Sequence, residues 1–167
     1  MTMTLSGTSG GIGVIGSGTA VASTSGTSID FTGLPAGLKR VTVMFSGVST
    51  NGSSVVQVQI GAGSVVSTGY LGAASNISTA VTSSTNSSGF RLMDSNASTV
   101  TMHGTVTLTL IGSNTWSQNG VLGRSDTAGT FVSGGSLALG GTLDRVRITT
   151  ANGTDTFDAG SINILYE

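Results

Sequence analysis

Three aspartates and two arginines crowd residues 144–167: Asp144, Asp155 and Asp158, with Arg145 and Arg147, in DRVRITTANGTDTFDAGSINILYE. Paired carboxylates can divide acid and nucleophile roles, as glycoside hydrolysis requires. Grouped carboxylates with backbone carbonyls can hold Ca²⁺. Sugar hydrolysis would also want aromatic rings to cradle the substrate, yet Phe31, Phe45, Phe131, Phe157 and Tyr166 stand at core positions of their segments. The sole glutamate is the C-terminal Glu167. A calcium loop of the D-x-D-x-D-G kind is missing, which leaves Asp155 and Asp158 with backbone carbonyls as the minor metal alternative. Asp155 and Asp158 bracket a turn, where aspartate accepts backbone N–H bonds, and Asp144 can pair with Arg145 or Arg147 across strands. The cluster reads as scaffold.

His103 is the only histidine. It has no His or Cys companion for a metal site, and with 26 serines in the chain no particular Ser-His pair stands out. Two short patterns imitate catalytic motifs. GIGVIG (11–16) fits G-x-G-x-x-G, but a dinucleotide site needs a helix next, and SGTAVASTSGTS is poor helix sequence. GTSGG (7–11) fits G-x-S-x-G without the α/β sheet and late histidine that a nucleophile elbow requires. The expectation is therefore no catalytic residue, no cofactor and no metal: not an enzyme.

The elements that carry these residues follow from composition. The 27 glycines, 26 serines and 26 threonines make up nearly half of the 167 residues. Disorder with such a bias usually brings high net charge and few β-branched side chains. Here the net charge is −1 and the mean hydropathy +0.30, and Val, Ile and Thr recur in alternating runs suited to a pleated surface. An all-β chain is expected. Charged residues are only 8% of the chain, against roughly a quarter in ordinary soluble domains. Such a Ser/Thr/Gly surface is readily desolvated and points to coverage by other subunits. With no cysteine there is no disulfide frame or thiolate site. MTMTLSGTSGG does not read as a signal peptide, and no run reaches the length of a membrane span. Six scattered Lys and Arg form no basic stripe, which disfavours nucleic acid as a partner.

Residues 1–26 read as an extended Gly/Ser/Thr arm and 27–167 as an antiparallel β-sandwich, jelly-roll-like in topology. Strong alternation marks strands at 40–48, 54–60, 104–112, 143–150 and 161–167, with weaker ones at 64–71, 89–93 and 129–139. Asn-Gly pairs at 51–52, 119–120 and 152–153 predict hairpin turns, and 73–88 reads as a long loop or a poorly paired edge. Pro35 marks a turn before the strand at 40, and no internal repeat suggests a solenoid. Leu5, Ile12, Val14 and Ile15 of the arm are candidate interface residues. Trp116 is either a core plug or an interface or ligand contact.

IDFTGLPAGLKRVTVMFSGVSTNGSSVVQVQIG, LTLIGSNTWSQNG and the 143–167 segment together resemble a β-sandwich module of tailed-bacteriophage virion proteins. The resemblance spans residues 29–167 and is weakest across 71–100. It implies a non-enzymatic structural or adhesive role, typically as a trimer, and carries over no catalytic residue. Tail fibres of this kind add a shaft and an attachment domain, whereas only the arm precedes the module here. An arm plus one sandwich suits a capsid decoration (cement) protein, contacting the major capsid protein or tail proteins in the virion after assembly in the host cytoplasm. The alternative is a short tail-fibre or receptor-binding protein, with 72–88 or 117–128 as contact loops and a host-surface glycan as its ligand. A carbohydrate-binding accessory module of an enzyme is a third reading.

Overall fold

A computed structural model describes residues 15–167. Fourteen strands follow one another without a helix among them: β1 (Gly16–Ser17), β2 (Val21–Ala22), β3 (Ser28–Thr32), β4 (Arg40–Thr50), β5 (Val56–Ala62), β6 (Ser64–Val65) and β7 (Leu71–Ile77). Then come β8 (Val81–Thr85), β9 (Phe90–Arg91), β10 (Met102–Gly112), β11 (Thr115–Arg124), β12 (Thr130–Ala138), β13 (Arg145–Thr150) and β14 (Phe157–Tyr166). They build an antiparallel sandwich. A nine-stranded sheet runs β1-β14-β4-β10-β11-β12-β7-β8, with β2 also on β14, and faces a five-stranded sheet, β3-β13-β5-β6, with β9 also on β5.

Alternation explains the core. Val41, Val43 and Phe45 of β4, Val106 and Leu108 of β10, and Ile162 and Ile164 of β14 bury one side of the large sheet. Val56, Val58 and Ile60 of β5 meet them from the small sheet with Val146 and Ile148 of β13. The period of two puts every second side chain inward, so each run delivers one apolar face. Tyr70 spans an irregular corner. Its buried hydroxyl accepts from the Ile60 N–H at 2.8 Å and lies 2.9 Å from the Val66 carbonyl oxygen it can donate to. Its ring meets Phe90 edge-on, with centroids 4.8 Å apart. Burial pushes the phenol up to about 12.

The turn signals resolve differently from the sequence expectation. Asn51-Gly52 joins β4 in the large sheet to β5 in the small one, and Asn152-Gly153 joins β13 to β14, again between sheets. Both are arches over the edge of the sandwich, not hairpins. Asn119-Gly120 is no turn at all but lies inside β11, where Gly120 pairs with Val106 and Ser133. The turn of the β10–β11 hairpin is Ser113-Asn114, with φ of 47° and 60°, the geometry of a two-residue I′ loop. Of the two readings of 73–88, the paired edge and not the loop holds: most of it is the β7–β8 hairpin, with β8 at the edge of the large sheet. The expected strand at 64–71 divides between the end of β6 and the start of β7.

The described part of the arm is bound to the sandwich. Gly16 pairs with Tyr166 and Val21 with Ile162, so β1 and β2 together line the edge of β14. Ser23 is wholly buried, and its hydroxyl donates to the Ala159 carbonyl at 2.7 Å.

Candidate functional site

The acidic cluster disperses into separate structural bonds. Asp144 holds Arg145 through two bonds, of 2.7 and 3.1 Å, and accepts from the Gly63 N–H at 3.0 Å, which pins the β5–β6 turn. Arg147 pairs instead with Asp30, its direct cross-strand neighbour on β3, at 2.6 and 3.0 Å. Asp158 receives the Ser49 hydroxyl from β4. Asp155 ties the two arches: its carboxylate accepts from the Ser54 N–H at 2.8 Å and from Asn152 Nδ2 at 2.7 Å. Those bonds, Asn152 first and Ser54 second, hold the Asp155 carboxyl below the usual carboxylate range. The Arg145 contact does the same for Asp144.

This geometry sets a mutational ranking for the turn. An amide at 155 has one acceptor oxygen for two donors, and its NH₂ must face a donor. Asp155→Asn should cost about 1–2 kcal/mol. Asp158→Asn keeps an acceptor for Ser49 and should cost less than about 1 kcal/mol. Gly153 has φ +68° with nothing near its missing Cβ, so Gly153→Val carries only backbone strain, also about 1–2 kcal/mol. Thermal unfolding of the three variants checks the order. Equal melting points for the two aspartate variants would show that the Ser54 tether adds nothing.

His103 is exposed and has a structural job. Its Nδ1 accepts from the Gly47 N–H at 3.1 Å, which fixes the proton of the neutral ring on Nε2, 3.1 Å from the Ser125 hydroxyl. The bond anchors an irregular stretch where the β10–β4 register shifts between Met102 and Gly104. Trp116 is only 2% exposed, in the core cluster between Leu110 and Leu137 on neighbouring strands, so of its two expected roles it fills that of core plug. As an interface contact it is out of reach. Ile15 is exposed beside β1. Leu5, Ile12 and Val14 lie outside the described residues, as does GTSGG. The described end of GIGVIG enters β1 and not a helix.

Two surfaces remain. On the outer side of the small sheet an open groove of about 270 Å³ is lined by Thr27, Ser28, Gln59, Arg147, Thr149 and Asn152, among others. No aromatic ring lines it, and its one cation is engaged by Asp30. Gln57 and Gln59, which alternate with the core residues of β5, are themselves covered: Gln57 Oε1 receives Asn86 Nδ2 at 2.5 Å, and Gln59 Nε2 donates to the Ser88 carbonyl at 2.8 Å.

The outer side of the large sheet is broader. The strand registers set its residues in rows, one of which reads Ser83, Ser75, Val132, Val121, Thr105, Met44 from β8 to β4. Leu71, Ile77, Val81 and Val121 on this side are 47–70% exposed. Sequence patterning overlooked them because they occupy the outward half of each alternation. Arg40 stands at one end of the face, paired with Glu167, and His103 at the other. Between them the registers place no Asp, Glu, Lys or Arg.

No protein family, curated protein or solved structure matches this chain.

Proposed function

We propose that this chain is a non-enzymatic structural protein of a tailed-bacteriophage virion, a homotrimer that decorates the capsid and is anchored to it by its N-terminal segment. The observation that carries this reading is how the charges are used. Asp30, Arg40, Arg124, Asp126, Asp144, Arg145, Arg147 and Glu167 are satisfied by one another within the subunit. Much of the remaining surface is Ser, Thr, Gly and Val, which are cheap to desolvate, and Lys39, Arg91, Asp94, Asp155 and Asp158 are the only charges outside those pairs. A monomer in water gains solubility from free surface charge, whereas a subunit packed among copies gains from its absence. Because Gly16–Ser17 and Val21–Ala22 are engaged by β14, anchoring in this reading falls to residues ahead of Ile15, including Leu5, Ile12 and Val14.

A tail-fibre or receptor-binding role is the second reading, favoured by the polar groove beside Gln59 and Arg147. Its contact segments would be strands and not loops, since 72–88 is mostly the β7–β8 hairpin and 117–128 is mostly β11. Quantitative gel densitometry of purified particles separates the two. Copies in the hundreds per particle are the expected result. A few tens or fewer would move the protein to the tail, and absence from particles would remove the virion reading.

A further inference from the structure

We infer that the outer face of the large sheet, from β4 across to β8, is where a second copy of this chain docks. The inference rests on the self-association in the reading above and not on its three-fold count, since a face that closes on its own copy makes a two-fold pair. Three properties of the face select a copy of itself over another partner.

The first is charge. All six basic and seven acidic residues of the chain lie off the middle of this face. A charged partner would gain no complementary contact there and would lose hydration. Two copies of the face can close on each other with no like charges opposed and no ion stripped of water, a cost that runs to several kcal/mol per buried charge.

The second is size. Six strands from β4 to β8 at about 4.8 Å spacing, and four outward rows about 6.7 Å apart, give a patch of roughly 600 Å² in flat projection. A specific interface needs about 500 Å² or more from each side. The patch meets that without help from loops.

The third is shape. The side chains standing out are mostly short, Thr105, Thr107, Val121 and Val132 being β-branched and Ser75 smaller still, with Met44 at the β4 side and Leu71, Ile77 and Val81 at the other margin. Sheets with short outward side chains can stack face to face at about 10 Å with strands within about 30° of parallel. The β8 edge beside this patch carries few of the usual guards against pairing, the Asp94 carboxylate that receives the Thr82 hydroxyl being a charge bonded to it. Val81–Thr85 holds no Lys, Pro or charge, and no further strand pairs with it among the described residues. A lightly guarded edge that continues an uncharged face fits a subunit whose neighbour covers both.

Sedimentation of the full chain and two charge variants tests this. Val121→Glu puts a carboxylate at the centre of the face, on an outward position where the fold tolerates it. Thr32→Glu puts the same charge on the exposed outer side of the small sheet. The wild-type chain and Thr32→Glu are expected to sediment as oligomers at micromolar concentration, and Val121→Glu as a monomer with native circular dichroism, its association weakened at least ~100-fold. Should Val121→Glu misfold, Thr107→Lys on the same face serves in its place. An oligomer that survives both substitutions overturns the docking face while leaving the assembly reading intact. A wild-type monomer overturns both. A wild-type monomer that binds particles only when Val121 is intact would put another virion protein on this face and overturn self-docking.

Discussion

Trp116→Ala is expected to lower the free energy of unfolding by about 3–5 kcal/mol, a large part of the 5–15 kcal/mol that holds a typical domain together. Trp116 is 2% exposed and is the largest of the fully buried side chains. Leu110 and Leu137 flank it on neighbouring strands, and Leu38 and Leu143 border a cavity of about 120 Å³ at its side. Truncation would enlarge that cavity between strands whose hydrogen bonds keep them from closing in, so little of the lost contact is recovered. Trp116→Phe provides the internal comparison. The indole Nε1 has no acceptor among the described residues, so a phenyl ring sacrifices packing and no hydrogen bond. Its cost should be less than half that of the alanine variant. Urea unfolding reads both, as a shift in midpoint at constant slope. If Trp116→Ala barely moves the midpoint but weakens self-association, Trp116 is a contact residue after all.

The inward half of this fold is written plainly in the chain. Val41, Val43 and Phe45, then Val106 and Leu108, sit where period-two alternation puts them, because one face of each strand must leave water. What alternation leaves open is which sheet a strand joins. Asn51-Gly52 and Asn152-Gly153 announce sharp turns by their backbone chemistry, and that chemistry serves an arch between sheets as well as a hairpin within one. The arches become recognisable only through contacts distant in sequence, such as Ser54 with Asp155 and Asn51 with Thr156. The β7–β8 hairpin is only half legible, as loop or edge, for a different reason. Along Leu71–Ile77 only Ala74 is buried, so the strand has no apolar stripe to betray it, and its place is set by pairing with β12. The candidate docking face shares that blindness. Val121 and Val132 look like ordinary members of a β-rich run until the register sets them side by side on the outer surface.

Gly160→Ala should be among the most damaging single-methyl changes at the described residues. Gly160 lies where β14 bulges against β4, at φ +88°, with the register slipping between Ala159 and Ser161. Its carbonyl accepts the N–H of the buried Ser23 at 2.9 Å, so three strands converge on it. An added Cβ would stand 2.3 Å from the Gly47 carbonyl oxygen and 2.5 Å from that of Ser46. Both obstacles are backbone, locked in the ladder and, at Gly47, held further by His103. A flexible side chain could swing aside; a sheet carbonyl cannot without breaking its neighbours' bonds. Left-handed strain contributes about 1–2 kcal/mol, and forcing the strands apart adds about 1–3 kcal/mol or more. The sum, about 2–5 kcal/mol, predicts a melting point lower by roughly 4–20 °C in a domain of this size. Gly153→Ala isolates the first contribution. Its φ of +68° is comparably unfavourable, yet no atom lies within 4 Å of the new Cβ, so it should cost only about 1 kcal/mol. Differential scanning calorimetry of the two variants beside the parent decides the matter. Equal losses would mean that the Gly47–Gly160 contact relaxes freely and that the β4–β14 bulge does not fix the seam of the large sheet.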